Sequence, residues 1–355
     1  MKLLLTGGSG HLGANLVRRL CADGNKVRVL LRPQSDNRAF DGLDVERVAG
    51  DLRDLEAVRA AVRGCERIFH CAAKVSTLEG SEREIYDCNV LGTRHVLQAA
   101  RESGVSKVVV TGSFSAVGNI PGEPSDEKQA FYPFEHHMPY ERSKAWVEHE
   151  CLKAAVEGLH VVIAISCAIL GPNDFKPSRM GRVLKDFSQR KMSAYIPGGF
   201  EFVAARDIVQ GHLLAMEKGR SGQRYIFSTK FTTVDELIEI MARVTGQPKP
   251  RFRLPASVMA PIAHVSTFVL TNFFPQVPQR FTPGAVRILQ MQRHADTTKA
   301  RTELGFVPSS IEEAVRDAHA WFIERGEIPR PAGWQPTPAA SHTTNGESPK
   351  IHGVA

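Results

Sequence analysis

Short apolar runs alternate with amphipathic runs over the first half of the chain. The apolar runs indicate strands at residues 3–5, 27–31, 45–49, 68–72, 108–110 and 161–165. Helical periodicity occupies residues 55–62, 84–102 and 145–155. Strands that are apolar throughout are typical of a parallel sheet covered on both faces. Because crossovers between parallel strands are right-handed, the pattern predicts an α/β fold with a doubly wound parallel sheet.

The alternation becomes looser after residue 166. Helical patterns lie at residues 181–190, 208–217, 237–244 and 311–325, and residues 225–228 are extended. Two of these helices follow a capping box, which begins at Thr233 and at Ser310. From residue 329 onward Pro, Ser, Thr and Gly dominate, so we expect a disordered tail at 329–355.

A glycine-spaced turn joins the first strand to the first helical pattern. It reads TGGSGHLG, and its candidate binding residues are Thr6, Gly7, Gly10, His11, Leu12 and Gly13. Glycines allow a sharp turn and a close approach to phosphates, and the N–H groups at the helix start attract negative charge. The order of strand, turn and helix therefore predicts a dinucleotide site, with an ordinary glycine-rich turn as the alternative.

Residues at three later strand ends are candidates for contacting the rest of such a cofactor. Arg32 ends the second strand, where an arginine can pair with a 2′-phosphate and an acidic residue would bind a 2′-hydroxyl. Arg32 thus favours NADP (NADPH), with NAD as the alternative. Asp51 can accept from the adenine amino group while Leu52 packs on the ring. Small residues leave room for a ribose at Ala72, Ala73 and Lys74.

Tyr140 and Lys144 are spaced to share one face of a helix after the fifth strand. A tyrosine has a pKa of about 10, and we expect the Lys144 ammonium and a positive nicotinamide ring to lower it. Tyr140 can then exchange a proton with a substrate oxygen. Ser113 stands at the end of the fifth strand and can hold that oxygen. His70 is expected to be packed rather than catalytic.

These residues together resemble the short-chain dehydrogenase/reductase superfamily, in its extended, epimerase-like branch. Residues 6–13 match the pattern T-G-x-x-G-x-x-G, and Tyr140 and Lys144 match the catalytic pair. The resemblance assigns the catalytic serine to Ser113, with Ser115 as second choice, and a structural asparagine to Asn89.

The resemblance also implies the domain organisation and the assembly. It predicts an NAD(P)-binding Rossmann core at 1–166 and a small C-terminal substrate-binding region at 167–328, interleaved with the last core elements. Members of the family are often homodimers, so a homodimer is expected here.

Two segments make the chain similar to dihydroflavonol-reductase-like proteins and to proteins labelled hopanoid-associated sugar epimerases. They are residues 171–177, GPNDFKP, and residues 206–212, RDIVQGH. Nucleotide-sugar epimerases usually have an asparagine near residues 163–170 and an arginine where this chain has Glu201. A carboxylate near a diphosphate would repel it, so both departures favour an uncharged, apolar substrate.

The resemblance predicts an NADPH-dependent oxidoreductase that reduces a ketone of a hydrophobic small molecule, or oxidises the matching alcohol. An NAD-dependent nucleotide-sugar epimerase or dehydratase is the alternative. A cofactor-sensing binding protein without activity is the third hypothesis.

The net charge and the cysteine content indicate the cellular compartment and the classes of partner that the protein binds. The formal net charge is +7, but the basic residues are scattered, so no nucleic-acid partner is expected. The six cysteines have no metal-ligand or CxxC spacing, which favours free thiols in the cytoplasm and no metal site. The apolar stretch at 254–274 is expected to cover the substrate pocket, with a membrane-surface contact as the weaker alternative.

Overall fold

The computed structural model describes residues 1–76, 81–132, 138–255 and 283–330, together with Ser257 and Pro261. Its strands in chain order are β1 (Lys2–Thr6), β2 (Lys26–Leu31), β3 (Val45–Ala49), β4 (Arg67–His70), β5 (Lys107–Ser113), β6 (Val161–Ser166), β7 (Ala168–Leu170), β8 (Ala194–Tyr195), β9 (Gly199–Ala204), β10 (Arg224–Phe227), β11 (Lys230–Thr233) and β12 (Phe252–Arg253).

The helices surround these strands and fall close to the predicted positions. They are α1 (His11–Ala22), α2 (Leu55–Val62), α3 (Glu82–Tyr86), α4 (Gly92–Glu102), α5 (Pro139–Val156), α6 (Arg179–Ser188), α7 (Ala205–Lys218), α8 (Val234–Thr245), α9 (Pro283–Met291) and α10 (Ile311–Glu324). A π-helical turn, Asp87–Leu91, joins α3 to α4.

Seven parallel strands form the central sheet in the order β3-β2-β1-β4-β5-β6-β10. Leu3, Leu4 and Leu5 of β1 are fully buried, as both faces of the sheet are covered. The strand order reverses between β1 and β4, which is where ligands bind in open α/β sheets. The predicted doubly wound sheet is therefore confirmed.

The second half of the chain packs smaller sheets against helices. β9 lies between β7, to which it is parallel, and β11, to which it is antiparallel. Leu184 of α6, Met241 of α8 and Phe322 of α10 meet Phe202 of β9 in one apolar core. β10 leaves this region and completes the edge of the central sheet beside β6.

The helix α5 begins six residues before the predicted start at residue 145. Pro139 occupies its first turn, and the Glu141 carboxylate accepts a hydrogen bond of 2.9 Å from the backbone N–H of Met138. This start places Tyr140 in the first turn of the helix and Lys144 one turn later, which their spacing requires for a shared face.

Most of the stretch at 254–274 lies outside the described residues, as does the predicted tail beyond residue 330. Within the described part of the chain, no helix combines the length and the apolar character needed to cross a membrane.

Candidate functional site

The turn between β1 and α1 can be built only with glycine at two positions. Gly7 has a φ of +74°, and a Cβ there would lie 2.5 Å from the backbone nitrogen of Ala72. A Cβ on Gly13 would lie 2.3 Å from the Gly7 carbonyl oxygen. The turn thus brings α1 close to β1 and to the end of β4, as the glycine pattern predicts.

The residues of this turn suit a dinucleotide pyrophosphate. Gly10 begins α1 without a side-chain cap, and the first turn of the helix carries no acidic residue. The positive end of the helix therefore meets no protein carboxylate there, and it can receive an anion. In the family, this turn would hold the pyrophosphate of the NAD(P) cofactor.

The hydroxyl of Thr6, a predicted cofactor-binding residue, has a partner within the protein. Its side chain is buried, and its hydroxyl donates to Nδ1 of His70 at 2.6 Å. His70 Nε2 donates in turn to the Thr93 hydroxyl at 2.9 Å, because that hydroxyl already donates to the Asn89 carbonyl. Burial, reinforced by the charge of Lys144, lowers the pKa of His70 to about 3. His70 is thus a packed, neutral residue, as expected.

His11 and Asn15 of α1 bind the segment that follows β7. The His11 Nε2 atom lies 3.0 Å from the carbonyl oxygen of Pro172, and Asn15 donates to the same oxygen at 2.9 Å. Asn173 donates back to the Asn15 side chain at 3.0 Å. His11 and Asn15 therefore join the glycine turn to the second half of the chain, while the neighbouring Leu12 is buried.

The end of β2 is rich in positive charge. Arg32 is exposed, and Arg38 forms a bidentate ion pair with Asp36, with its closest contact at 2.6 Å. That pair lowers the pKa of Asp36 to about 2. Arg32 therefore stands where the sequence places it, directly after β2.

Asp51 and Leu52 each have protein partners at the end of β3. Both Asp51 oxygens accept from the Arg53 side chain, at 2.9 and 2.8 Å, which lowers the pKa of Asp51. Leu52 is buried, and a Cβ on Gly92 would lie 2.9 Å from its side chain. An adenine contact at Asp51 would have to share the carboxylate with Arg53.

Three residues after β4 were predicted to border the cofactor. Ala72 and Ala73 are half-buried, and Ala72 lies against Gly7. The Lys74 backbone exchanges two hydrogen bonds with the side chain of Asn89, at 2.7 and 3.0 Å, and its ammonium forms an ion pair with Glu84.

Asn89 connects this strand end to the helix that carries the catalytic candidates. Its side chain donates to the Ser143 hydroxyl at 2.9 Å, and Ser143 donates to the Tyr140 carbonyl at 2.8 Å. Asn89 lies in the π-helical turn Asp87–Leu91, a feature that is frequent at functional sites. The contacts agree with the structural role that the resemblance implies.

Ser113, Tyr140 and Lys144 meet at the end of β5. Ser113 lies close enough to the Tyr140 side chain to lower its pKa, and the Ser113 hydroxyl lies 2.8 Å from that of Ser115. Lys144 is buried, and its ammonium donates to the Thr111 carbonyl oxygen at 2.8 Å. The two serine hydroxyls and the phenol form one polar group beside the buried cation.

The pKa of Tyr140 differs from the expectation. Burial raises it and the nearby Ser113 opposes this effect, while the charge of Lys144 does not contribute to the shift. Lys144 instead has its own pKa lowered to about 8 by burial. In the protein itself Tyr140 is therefore a protonated phenol at neutral pH, suited to act as an acid.

Two residues next to Lys144 were not singled out for a role from the sequence. Thr111 accepts from Lys144 through its carbonyl, and its hydroxyl donates to Nε2 of His212 at 2.9 Å. His212 is fully buried in α7 and donates from Nδ1 to the Ile208 carbonyl at 2.8 Å. Burial lowers the pKa of His212 to about 4. The contact spans 101 residues, so local spacing carries no signal of it.

Glu201 does not present a free carboxylate to a ligand. One oxygen accepts from the backbone N–H of Ala295 at 2.8 Å, and the other accepts from the Ser228 hydroxyl. Its side chain is buried, and burial raises its pKa. The expectation that its charge would repel a diphosphate is corrected, because Glu201 anchors the segment around Ala295 to β9.

Comparisons with known proteins agree with this fold and site. Residues 3–227 match the NAD dependent epimerase/dehydratase family. A relative named sterol demethylase protein B, from Methylococcus capsulatus, is 46% identical over 328 residues, covering 92% of this chain and 100% of its own. A putative dihydroflavonol 4-reductase from Synechocystis sp. is 34% identical, covering 91% and 95%.

A solved structure extends the agreement to three dimensions. The crystal structure of gox2253 has a TM-score of 0.80 and 31% identity, and the match covers 92% of this chain and 99% of that one. The chain therefore belongs to the NAD-dependent epimerase/dehydratase family, and it is an extended short-chain dehydrogenase/reductase, an NAD(P)-binding enzyme that acts on hydroxyl or keto groups.

Proposed function

We propose that the protein is an NADPH-dependent reductase of a ketone on a hydrophobic small molecule, working in reverse on the matching secondary alcohol. The observation that carries the proposal is the meeting of Ser113, Tyr140 and Lys144 beside the glycine turn. A bound nicotinamide cofactor supplies the hydride in this chemistry. The chain's own residues then have to hold the carbonyl oxygen and deliver a proton to it.

Tyr140 and Ser113 are suited to act on the same oxygen. Ser113 lies close enough to Tyr140 to act on its pKa, so we expect both hydroxyls to reach one acceptor. Tyr140 donates its proton to the oxygen, while Ser113 donates a hydrogen bond that offsets the developing negative charge. Lys144, fixed by its bond to Thr111, can hold the nicotinamide ribose, and together with the positive ring of an oxidised cofactor it would favour the phenolate left after the transfer.

The hydrophobic substrate class is supported by two of the relatives described above. Their names refer to sterol demethylation and to dihydroflavonol reduction. Both names describe apolar ring systems with an oxygen function. The preference for NADPH is supported by Arg32 and Arg38, which put two guanidinium groups at the end of β2.

The experiment follows NADPH consumption by the purified protein with a 3-ketosteroid, a dihydroflavonol and UDP-glucose as separate probes. We expect turnover with at least one lipophilic ketone. The Tyr140→Phe variant should lose activity by about 100-fold or more, because the proton donor is gone. Tyr86→Phe is the matched control and should retain activity. Stabilisation against heat by UDP-glucose but by neither lipophilic probe would favour the epimerase alternative.

A further inference from the structure

We propose that Lys176 binds the 2′-phosphate of an NADP-type cofactor, so that the half of the chain beyond the Rossmann core takes part in recognising it. The inference rests on the proposed NADPH preference and deepens it. Lys176 stands in the segment between β7 and α6, 167 residues after the glycine turn, and was not predicted as a site residue.

The Lys176 ammonium lies over the glycine turn. Its Nζ donates to the Ser9 hydroxyl at 3.0 Å, and Ser9 is the residue before Gly10, where α1 begins. Because Lys176 is exposed, this contact does not fill a buried gap. The side chain therefore reaches the mouth of the cofactor turn from the opposite half of the molecule.

The Lys176 ammonium also interacts electrostatically with the charged side chains that follow β2. Partial burial is the largest cause that lowers the pKa of Lys176. The charge of Asp36 raises this pKa, and the charges of Arg32 and Arg38 lower it further. Asp36 is the one carboxylate that acts on Lys176, and it is already paired with Arg38. Like charges held together in this way are unfavourable without a counter-ion, and they favour a doubly charged anion among them.

A phosphate monoester matches that charge, since it carries about −1.5 to −2 at neutral pH. Its place on the cofactor follows from the neighbours of Lys176. The pyrophosphate belongs to the start of α1, whereas Arg32 and Arg38 follow β2, where the adenosine ribose is read. Lys176 contacts the turn on one side and acts with the two arginines on the other, which is the position for the 2′-phosphate.

The backbone that carries Lys176 is held firmly. Phe175 is buried, with the Arg18 and Arg325 guanidinium groups each 4.7 Å from the centre of its ring. Asp174 is buried too and accepts from the backbone N–H of Ser178 at 2.8 Å. Only the lysine side chain needs to move from Ser9 to a phosphate, so binding costs little conformational entropy.

The test measures binding of NADP⁺ and NAD⁺ by isothermal titration calorimetry, without any substrate. The variants are Lys176→Met, Lys176→Arg as the charge-preserving change, and Lys191→Met as the matched control from the same half of the chain. We expect Lys176→Met to weaken NADP⁺ about tenfold and NAD⁺ less than about twofold, the loss shrinking as salt is raised. Lys176→Arg and Lys191→Met should stay within about threefold of the parent for both nucleotides.

Equal weakening of both nucleotides would overturn the assignment, because it would make Lys176 a support for the turn or a pyrophosphate contact. Unchanged NADP⁺ binding in Lys176→Met would overturn it as well. These failures differ from a failure of the proposed function. A parent protein that prefers NADP⁺ while Lys176→Met keeps that preference refutes only the role of Lys176, whereas a parent that prefers NAD⁺ refutes the cofactor choice itself.

Discussion

The side-chain amide of Asn89 donates a hydrogen bond of 2.9 Å to the hydroxyl of Ser143. This contact links the π-helical turn after α3 to the first turns of α5, where Tyr140 and Lys144 stand. The same amide holds both backbone groups of Lys74 at the end of β4. One buried side chain thus fixes the end of β4 relative to the helix that carries Tyr140 and Lys144.

Asn89→Ala should therefore affect both stability and turnover. It leaves the buried backbone groups of Lys74 without their partner, and we expect a loss of about 2–4 kcal/mol in the free energy of unfolding. Chemical denaturation measures this loss. Asn25→Ala removes a single bond, to the Leu20 carbonyl, and is the control that should cost less than about 1 kcal/mol. A similar small cost for Asn89→Ala would contradict the linking role.

Lys144→Met should be inactive and yet more stable than the parent protein at pH 7. Burial lowers the pKa of Lys144 from its ordinary 10.5 to about 8, which corresponds to a cost of about 3 kcal/mol for the buried charge. Loss of the hydrogen bond to the Thr111 carbonyl offsets part of the stability gained by removing the buried charge. Thermal and urea unfolding at pH 7 measure the difference.

The pH dependence of that difference has a definite sign. Between pH 8 and 10.5 the unfolded chain binds a proton at Lys144 that the folded chain has released, so the parent gains stability as the pH rises. The advantage of Lys144→Met should shrink over this window. An advantage that stays constant from pH 7 to 10.5 would mean that the buried ammonium is not its source.

His70 and His212 should make the protein sensitive to acid. Their folded pKa values of about 3 and about 4 lie below the ordinary 6.5, so the unfolded chain takes up protons first as the pH falls. Each histidine then removes about 1.4 kcal/mol of stability per pH unit below 6.5, down to its folded pKa. Urea unfolding at pH 7, 6 and 5 measures the slope.

His212→Gln should make that slope shallower, while its exposed counterpart His149→Gln should not. Equal slopes in both variants would place the acid sensitivity elsewhere. Carboxylates titrate in the same pH range and also contribute to the slope, so only the difference between the two variants isolates the contribution of His212.

Arg32→Asp should reverse the choice of cofactor. A carboxylate at the end of β2 repels a 2′-phosphate and accepts from a 2′-hydroxyl, so we expect NADPH to bind at least about tenfold more weakly and NADH more tightly. Fluorescence titration of each cofactor measures both affinities. Arg63→Asp, at the far end of α2, applies the same charge change away from the site and should alter neither. A parallel loss for both cofactors in Arg32→Asp would point to misfolding of the loop.

Local signals in the sequence predict the first and last residue of some elements correctly. The helix α2 has the bounds that its periodicity predicts, because the Asp54 carboxylate accepts from the N–H groups of Glu56 and Ala57 and fixes its start. The start of α5 was missed, since its first turn is polar and its cap comes from Glu141 inside the helix. Periodicity detects an apolar buried face, whereas the residues buried at the start of α5, Glu141, Ser143 and Lys144, are polar or charged.

In the candidate site, too, some residues can be predicted from local spacing and others cannot. Gly7, Gly13, Tyr140 and Lys144 follow from spacing because each depends on one turn or one helix face. The contacts of Lys176 with Ser9 and of His212 with Thr111 join residues more than 100 positions apart. They depend on how the second half of the chain folds back on the sheet, and short-range patterns hold no information about that.

The bonds of His11 and Asn15 to the Pro172 carbonyl also limit how the enzyme can open. A hinge at this seam would break these bonds and the one between Asn173 and Asn15, at a cost of about 1 kcal/mol each. It would also pull Phe175 out from between two arginines. The glycine turn and the segment after β7 therefore move as one body. We therefore expect ligands to enter and leave by motions of other elements, which would separate the gating of turnover from the seam between α1 and the segment after β7.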